Sequence, residues 1–290
     1  MNTPAVVLST LAVVCLGSPA WADRVSGVLT RTYVIVEDTD LIGDVTCNVG
    51  SNPCVSFGAS GVVLRLNGFS MTGQADPVTG CGGATFANEA GILTSGMHDV
   101  TVRGPGLVQR FRRWGVHVGG GSTNAHIEGI TASTNCASGI FADGMAFGTL
   151  VQGNVSVRNG SGSGGVRAGG ISIAGHNSRV RLNEAYGNGF SEPNDDFGIG
   201  TTLNASGNVI ESNNVGGNTN GIVLAAGSRQ TIVRDNTVVG NPPIQVATSS
   251  PGSQGVDILN LAPADETLFE RNVCVTAINA PCATFKTLRP

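Results

Sequence analysis

The chain has 290 residues, of which 43 are glycine and only 12% are charged, and its formal net charge at pH 7 is −4. A mildly acidic chain with one lysine, Lys286, lacks the basic stripe that a nucleic-acid surface requires. Glycine at this frequency points to sharp corners repeated many times.

Residues 1–22 read as a secretory signal: an apolar run Ala5–Leu16, then Gly17-Ser18-Pro19, then Ala20-Trp21-Ala22 as an A-x-A cleavage site before Asp23. The positive n-region is missing, and the run is shorter than the roughly 20 residues of a bilayer span. The expectation is a secreted or periplasmic protein cleaved after Ala22 and without stable membrane insertion. Residues 23–60 are expected to cap the N-terminal end, 61–262 to form the repeat, and 263–290 to form the closing coil and cap.

Within the repeat, asparagines return in pairs five residues apart: Asn154 and Asn159, Asn183 and Asn188, Asn213 and Asn218, Asn236 and Asn241. Self-similarity at a period of about 20–50 residues marks a solenoid of stacked coils. One register runs through Gly91-Ile92, Gly115-Val116, Gly139-Ile140, Gly170-Ile171, Gly198-Ile199, Gly221-Ile222 and Gly255-Val256, with Pro243-Ile244 between the last two. A second runs Val102, Ile127, Val151, Val180, Val209, Ile232, and a third Ile130, Val155, Glu184, Asn214, Thr237. Three short strands per coil follow, and period-2 alternation places one set of side chains inside. The asparagines are expected in left-handed backbone at tight bends, with their amides hydrogen-bonded from coil to coil.

The N-x-x-x-x-N turns, the Gly-Ile-x-Leu strands and segments such as Ser206-Gly207-Asn208-Val209-Ile210 resemble the right-handed parallel β-helix repeats of the pectate-lyase-like superfamily, over about Gly61 to Val275. The resemblance implies an all-β fold, a right-handed single-stranded parallel β-helix of about seven coils with caps. It is specific for fold and weak for activity. The superfamily includes polysaccharide lyases, glycoside hydrolases, epimerases, phage spikes, surface adhesins and periplasmic proteins resembling the copper-maturation factor of nitrous oxide reductase.

Setting Cys15 aside leaves six cysteines, an even number in an exported chain, which favours disulfides over metal binding. Proximity pairs Cys47 with Cys54 and Cys274 with Cys282. The coil register places Cys81 in a long loop entering the corner of Cys136, so these two are expected to bond.

Function is sought where the chain departs from its repeat. Asn218 reaches Gly221 in three residues and Asn135 reaches Gly139 in four, whereas Asn159 to Gly170 takes 11 and Asn188 to Gly198 takes 10, and residues 72–90 make a longer excursion. Such insertions on a rigid scaffold are where binding and catalysis usually reside. That corner carries Arg110, Arg112, Arg113 and Trp114, then Arg167, then Glu192, Asp195 and Asp196. Arginine pairs bidentately with carboxylates, so a uronic-acid polysaccharide or other cell-envelope glycan fits the corner.

Two catalytic templates apply. Asp195-Asp196 is similar to the double aspartate of polygalacturonases, but the G-H-G and R-I-K elements expected downstream are absent. Alternatively Glu192, Asp195 and Asp196 would hold Ca²⁺ through oxygen ligands, with Arg167 as base. A further surface is the outward column Leu93, His117, Phe141, Ser172, Gly200, Val223 and Gln245, where His117 and Phe141 with Asp143 would form a sugar-stacking patch. The leading expectation is therefore an exported protein that binds an acidic polysaccharide and, in its stronger form, cleaves it. The alternatives are a non-catalytic envelope or surface protein, and a copper-accessory protein, the latter set against four scattered histidines.

Overall fold

A computed structural model describes residues 22–75, 81, 89–160, 169–189, 196–202, 204–241 and 255–283. Among these the strands are short, parallel and stacked as a right-handed β-helix. One face is a ten-stranded sheet running Tyr33–Ile35, Val55–Phe57, Ala90–Ser95, Trp114–Gly119, Ile140–Ala142, Gly169–Ile173, Phe197–Thr201, Ile222–Leu224, Ile258–Asn260 and Ala277–Ile278. Seven of these lie between residues 61 and 262. The other two faces share an eighteen-stranded sheet whose strands alternate between them. The segment expected as the N-terminal cap joins that sheet, since Asp23–Leu29 pairs in parallel with Thr39–Cys47.

The inward column Ile92, Val116, Ile140, Ile171, Ile199, Ile222 and Ile258 is fully buried, as is Leu64, Val102, Ile127, Val151, Val180, Ile210 and Val233 on the second face. Burying one such side chain stabilises the fold by roughly 1.5–3 kcal/mol. No coil provides that burial alone, so stacking and stability are one event.

The corners explain the asparagines. The left-handed residue is the one before each asparagine: Thr134, Arg158, Gly187, Gly217 and Gly240 precede Asn135, Asn159, Asn188, Asn218 and Asn241, with φ of 52°, 55°, 60°, 64° and 72°. That residue turns the chain so that the next side chain points into the corner, which corrects the expectation that asparagine itself bends. Asn159 is typical. Its backbone N and its Nδ2 donate to Asn188 Oδ1 at 3.0 and 3.1 Å, and its Nδ2 also donates to the Ala132 carbonyl at 3.0 Å. This pattern satisfies the buried amide from both neighbouring coils.

The same ladder accounts for the glycine at the start of five first-face strands. A Cβ at Gly115, Gly139, Gly170, Gly198 or Gly221 would lie 2.7, 2.7, 2.7, 2.6 or 2.8 Å from Nδ2 of Asn135, Asn159, Asn188, Asn218 or Asn241. The paired signals in the sequence are thus one contact, with asparagine on one coil and glycine on the coil before. The ladder ends on Asp257, whose Oδ1 accepts from Asn241 Nδ2 at 2.9 Å.

Four register residues differ from expectation: Val209, Ile232, Ile130 and Val256, with Val233 and not Ile232 following Ile210 on the second face. Val180 pairs with Ile210, not Val209, and Val155 pairs with Thr131, not Ile130. The slip at Val209 arises because the adjacent Ile210 is also apolar, and a one-residue slip exchanges the two faces. Ile130 instead fills an asparagine position, its N donating to Asn154 Oδ1 at 3.0 Å. The first-face rung after Ile222 is Ile258, so Gly255-Val256 lies in the preceding corner; Pro243, Ile244 and Gln245 lie outside the described residues. The disulfides join Cys47–Cys54, Cys81–Cys136 and Cys274–Cys282.

Candidate functional site

Left-handed Arg110 (φ 59°) turns Phe111 into the ladder position, where Phe111 N donates to Asn135 Oδ1 at 3.1 Å and the ring fills the corner. The next residues, Arg112 and Arg113, therefore emerge at the mouth of the strand Trp114–Gly119. The three arginines then diverge. Arg110 Nε donates to the Ala75 carbonyl at 2.8 Å. Arg112 pairs with buried Glu89, whose carboxyl is pushed up by burial against the opposing pull of Arg112. Arg113 alone turns to the outer face, its guanidinium carbon 3.7 Å from the centroid of the Trp114 ring.

Trp114, His117 and Phe141 form one aromatic group. Ring centroids are 4.1 Å apart for Trp114 and His117, 5.2 Å for Trp114 and Phe141, and 5.4 Å for His117 and Phe141, the last two stacked. His117 pairs with Leu93 on one neighbouring strand and Phe141 on the other, so the column is set by strand register. Trp114 stands at the corner end of its strand, which lets its ring reach beside His117. It is only 5% exposed and supports the patch from below, whereas Arg113, His117 and Phe141 are partly exposed. Trp114 itself therefore presents little surface on which a ligand could stack.

Asp143 completes the group. Its Oδ1 accepts from Met145 N at 2.9 Å and its Oδ2 from Gly120 N at 3.0 Å. His117 Nε2 lies 3.5 Å from Oδ2, an ion-pair distance, but it is buried and not aligned for a hydrogen bond. Burial pushes the Asp143 carboxyl up, while His117 and the two amides more than offset it and hold it below the usual carboxylate range. Asp143 is thus a carboxylate at neutral pH. It can orient an imidazole or accept a hydroxyl proton, and it is poorly suited to donate one.

The acidic loop is not presented as the sequence suggests. Asp196 is buried, with its Cβ against Gly189 and its carbonyl accepting from Asn220 Nδ2 at 3.0 Å. Burial next to Phe197 removes it from the loop tip where a ligand-facing carboxylate was expected. Arg167, Glu192 and Asp195 lie outside the described residues. Among the described residues no three His, Cys, Asp or Glu side chains gather in a metal-binding arrangement.

A family model for the right handed beta helix region matches residues 91–261. The chain belongs to the right-handed β-helix family. Solved structures share the fold. A periplasmic alginate epimerase, AlgG, matches with 14% identity over 85% of this chain and 62% of its own, at a TM-score of 0.56. Tailspike protein 2 from Escherichia coli O157:H7 bacteriophage CAB120 matches with 10% identity over 85% of this chain and 35% of its own, at 0.55. The A-module of the Azotobacter vinelandii mannuronan C-5 epimerase AlgE4 matches with 14% identity over 87% of this chain and 83% of its own, at 0.50. The chain therefore spans about a third to two thirds of the first two, and at these identities the likeness is one of fold. Comparison with the curated proteins finds no match.

The β-helix places the sequence-predicted residues in two groups. It brings Arg113, Trp114, His117 and Phe141 together with Asp143, and directs Arg110 and Arg112 elsewhere. Glu89 as the partner of Arg112 escaped the sequence reading, since it lies 23 residues away. The stacking of Trp114 on Phe141 was legible in principle, because the Gly115-Val116 and Gly139-Ile140 rungs fix their relative height.

Proposed function

We propose that this β-helix protein is exported and binds an acidic, uronic-acid-containing polysaccharide on its outer face at Arg113. The supporting observation is the state of that guanidinium. It is stacked on Trp114, no carboxylate among the described residues pairs with it, and burial alone depresses its pKa. Partly buried cations are normally paired, so an unpaired one beside an aromatic platform suits an anionic ligand. A uronate carboxylate would take the guanidinium fork, and a sugar face would rest on Phe141 with its hydroxyls toward Asp143. Alginate and mannuronan, the substrates named for two structural neighbours, are acidic glycans of this class. Export is supported by the A-x-A signal and by three disulfides. Among the described residues no helix is long and apolar enough to cross a membrane.

Cleavage is the extension of this proposal. It assigns catalysis to Arg167, Asp195 and Asp196 with Ca²⁺ held through Glu192, and buried Asp196 would have to be uncovered for it. Binding is tested by titrating oligouronates and a neutral dextran against the wild type and Arg113→Ala. A charge-assisted bidentate contact contributes about 1.5–3 kcal/mol, so the substitution should weaken uronate binding by roughly 10- to 100-fold. Wild-type protein that binds no acidic glycan, or Arg113→Ala that binds as well as wild type, would overturn the proposal.

A further inference from the structure

A second constellation lies on another corner and owes nothing to Arg113. Isolated parallel bridges stack His98, Thr123, Phe147, His176, Ser206 and Arg229 in one column. In the middle of that column His176 Nδ1 lies 2.8 Å from Ser206 Oγ. This is a nucleophile and a base at hydrogen-bonding distance, placed on successive coils by the register. Both are partly exposed. The neighbours on either side differ in character. Phe147 is 46% exposed and apolar, while Arg229 is a well-exposed cation whose acid partner Glu266 stands off at 3.7 Å. Ser206 and Arg229 border an open cleft of about 760 Å³, closed on its far side by Asp265, Glu266, Thr267 and Leu268.

We propose that this column is a site for carboxylic-ester cleavage, taking an acyl ester such as an O-acyl group on a sugar. With Nδ1 unprotonated, Ser206 Oγ attacks the ester carbonyl carbon as its proton passes to His176. The carbon–oxygen bond to the alcohol breaks, and His176 returns the proton to the leaving alkoxide. Water then attacks the acyl-serine, its proton again passing through His176, to release the carboxylic acid and free Ser206. Phe147 offers an apolar rest for the acyl chain, and Arg229 a positive charge for the oxyanion.

The pair has no third member to orient the imidazole among the described residues. Loss of the orienting acid from a complete triad costs about 10⁴-fold, so turnover should be slow and covalent labelling is the more sensitive readout. The protein is treated with a fluorophosphonate probe and digested, and hydrolysis of p-nitrophenyl acetate is followed in parallel. The expected result is an adduct on Ser206, with labelling and turnover above buffer both lost in Ser206→Ala and His176→Ala. Ser206→Ala should melt close to the wild type, since a partly exposed hydroxyl at an isolated bridge contributes little to folding. No adduct at Ser206, or ester turnover unchanged in Ser206→Ala, would overturn the assignment.

Discussion

The asparagine ladder ends on a carboxylate, and the reason can be tested by a single isosteric change, Asp257→Asn. Asp257 is buried and is approached only by donors. Its Oδ1 accepts from Asn241 N at 3.3 Å and Asn241 Nδ2 at 2.9 Å, and its Oδ2 accepts from Val275 N at 2.9 Å and Thr276 N at 3.1 Å. Interior rungs need asparagine because each amide both accepts from the coil before and donates to the coil after. The last rung has nothing to donate to, so an acceptor-only group is the right one. In Asp257→Asn either orientation of the amide turns its NH₂ toward a pair of N–H donors. Two hydrogen bonds to a charged group are lost, each contributing about 1.5–3 kcal/mol, and two N–H donors, those of Asn241 or those of Val275 and Thr276, are left facing another donor. Allowing for relaxation, the cost should be about 3–5 kcal/mol, which lowers Tm by on the order of 10 °C in a chain of this size. Because solenoid coils contact only their neighbours, the loss should appear first as faster hydrogen exchange at Val275 and Thr276, with the central coils protected until the global transition. A variant melting within about 1 °C of wild type, with unchanged exchange at those two amides, would show that the terminal carboxylate is not chosen for its acceptors.

The disulfides should differ in weight. Cys81–Cys136 spans 55 residues and Cys47–Cys54 spans 7, so on the chain-entropy model removing the first costs about 4 kcal/mol and the second about 2.4 kcal/mol. Thermal melts of the paired alanine variants check the order, and equal losses would contradict it. Glu211 should govern part of the acid limb. The Arg179 hydrogen bond, opposed by burial and reinforced by Arg234, holds its carboxyl below the ordinary 4.5. A depressed carboxyl contributes stability that is present above pH 4.5 and lost as pH falls through its folded value. Glu211→Gln should therefore be less stable than wild type at neutral pH and should converge on it in acid. A difference that stays constant between pH 7 and pH 3 would refute the assignment.

The architecture was legible because its physical causes act at short range. Glycine and asparagine recur since a Cβ at Gly115, Gly139, Gly170, Gly198 or Gly221 would strike an asparagine amide on the following coil, a constraint repeated from turn to turn. The bend itself was misread. Left-handed backbone falls on Thr134, Arg158, Leu182, Ser212, Asp235 and Arg271 as well as on glycines, and such varied residues carry no compositional mark. Register failed at Val209 and Ile232, at Ile130 and at Val256; at Val209-Ile210 and Ile232-Val233 two adjacent apolar residues make the in-out alternation ambiguous. The site was half legible. His117, Phe141 and Asp143 followed from period-2 patterning, whereas the division of labour among Arg110, Arg112 and Arg113 depends on Glu89 and the Ala75 carbonyl, which no local pattern ties to them.

The outward column also limits where a ligand can lie. Leu93, His117 and Phe141 are partly exposed, but the next positions, Ser172, Gly200, Val223 and Leu259, are buried although they point away from the solenoid interior. Phe197, Val223, Val256 and Leu259 form a second apolar cluster there, separate from the main core. Phe197 also dictates its neighbours, since a Cβ at Gly169 or Gly200 would come within 2.4 or 2.8 Å of its ring. An external core on these coils leaves the stretch from Val34 through Ser56, Leu93 and His117 to Phe141 as the open part of the face, four coil intervals or about 19 Å. Arg113 stands within that stretch. A glycan bound at Arg113 therefore meets the sheet over at most these five rungs, and any longer contact must come from the loops rather than from the column. Affinity should accordingly level off within a few sugar units in the absence of loop contacts. Continued strengthening across an oligouronate length series in Arg113→Ala would place the binding surface elsewhere on the solenoid.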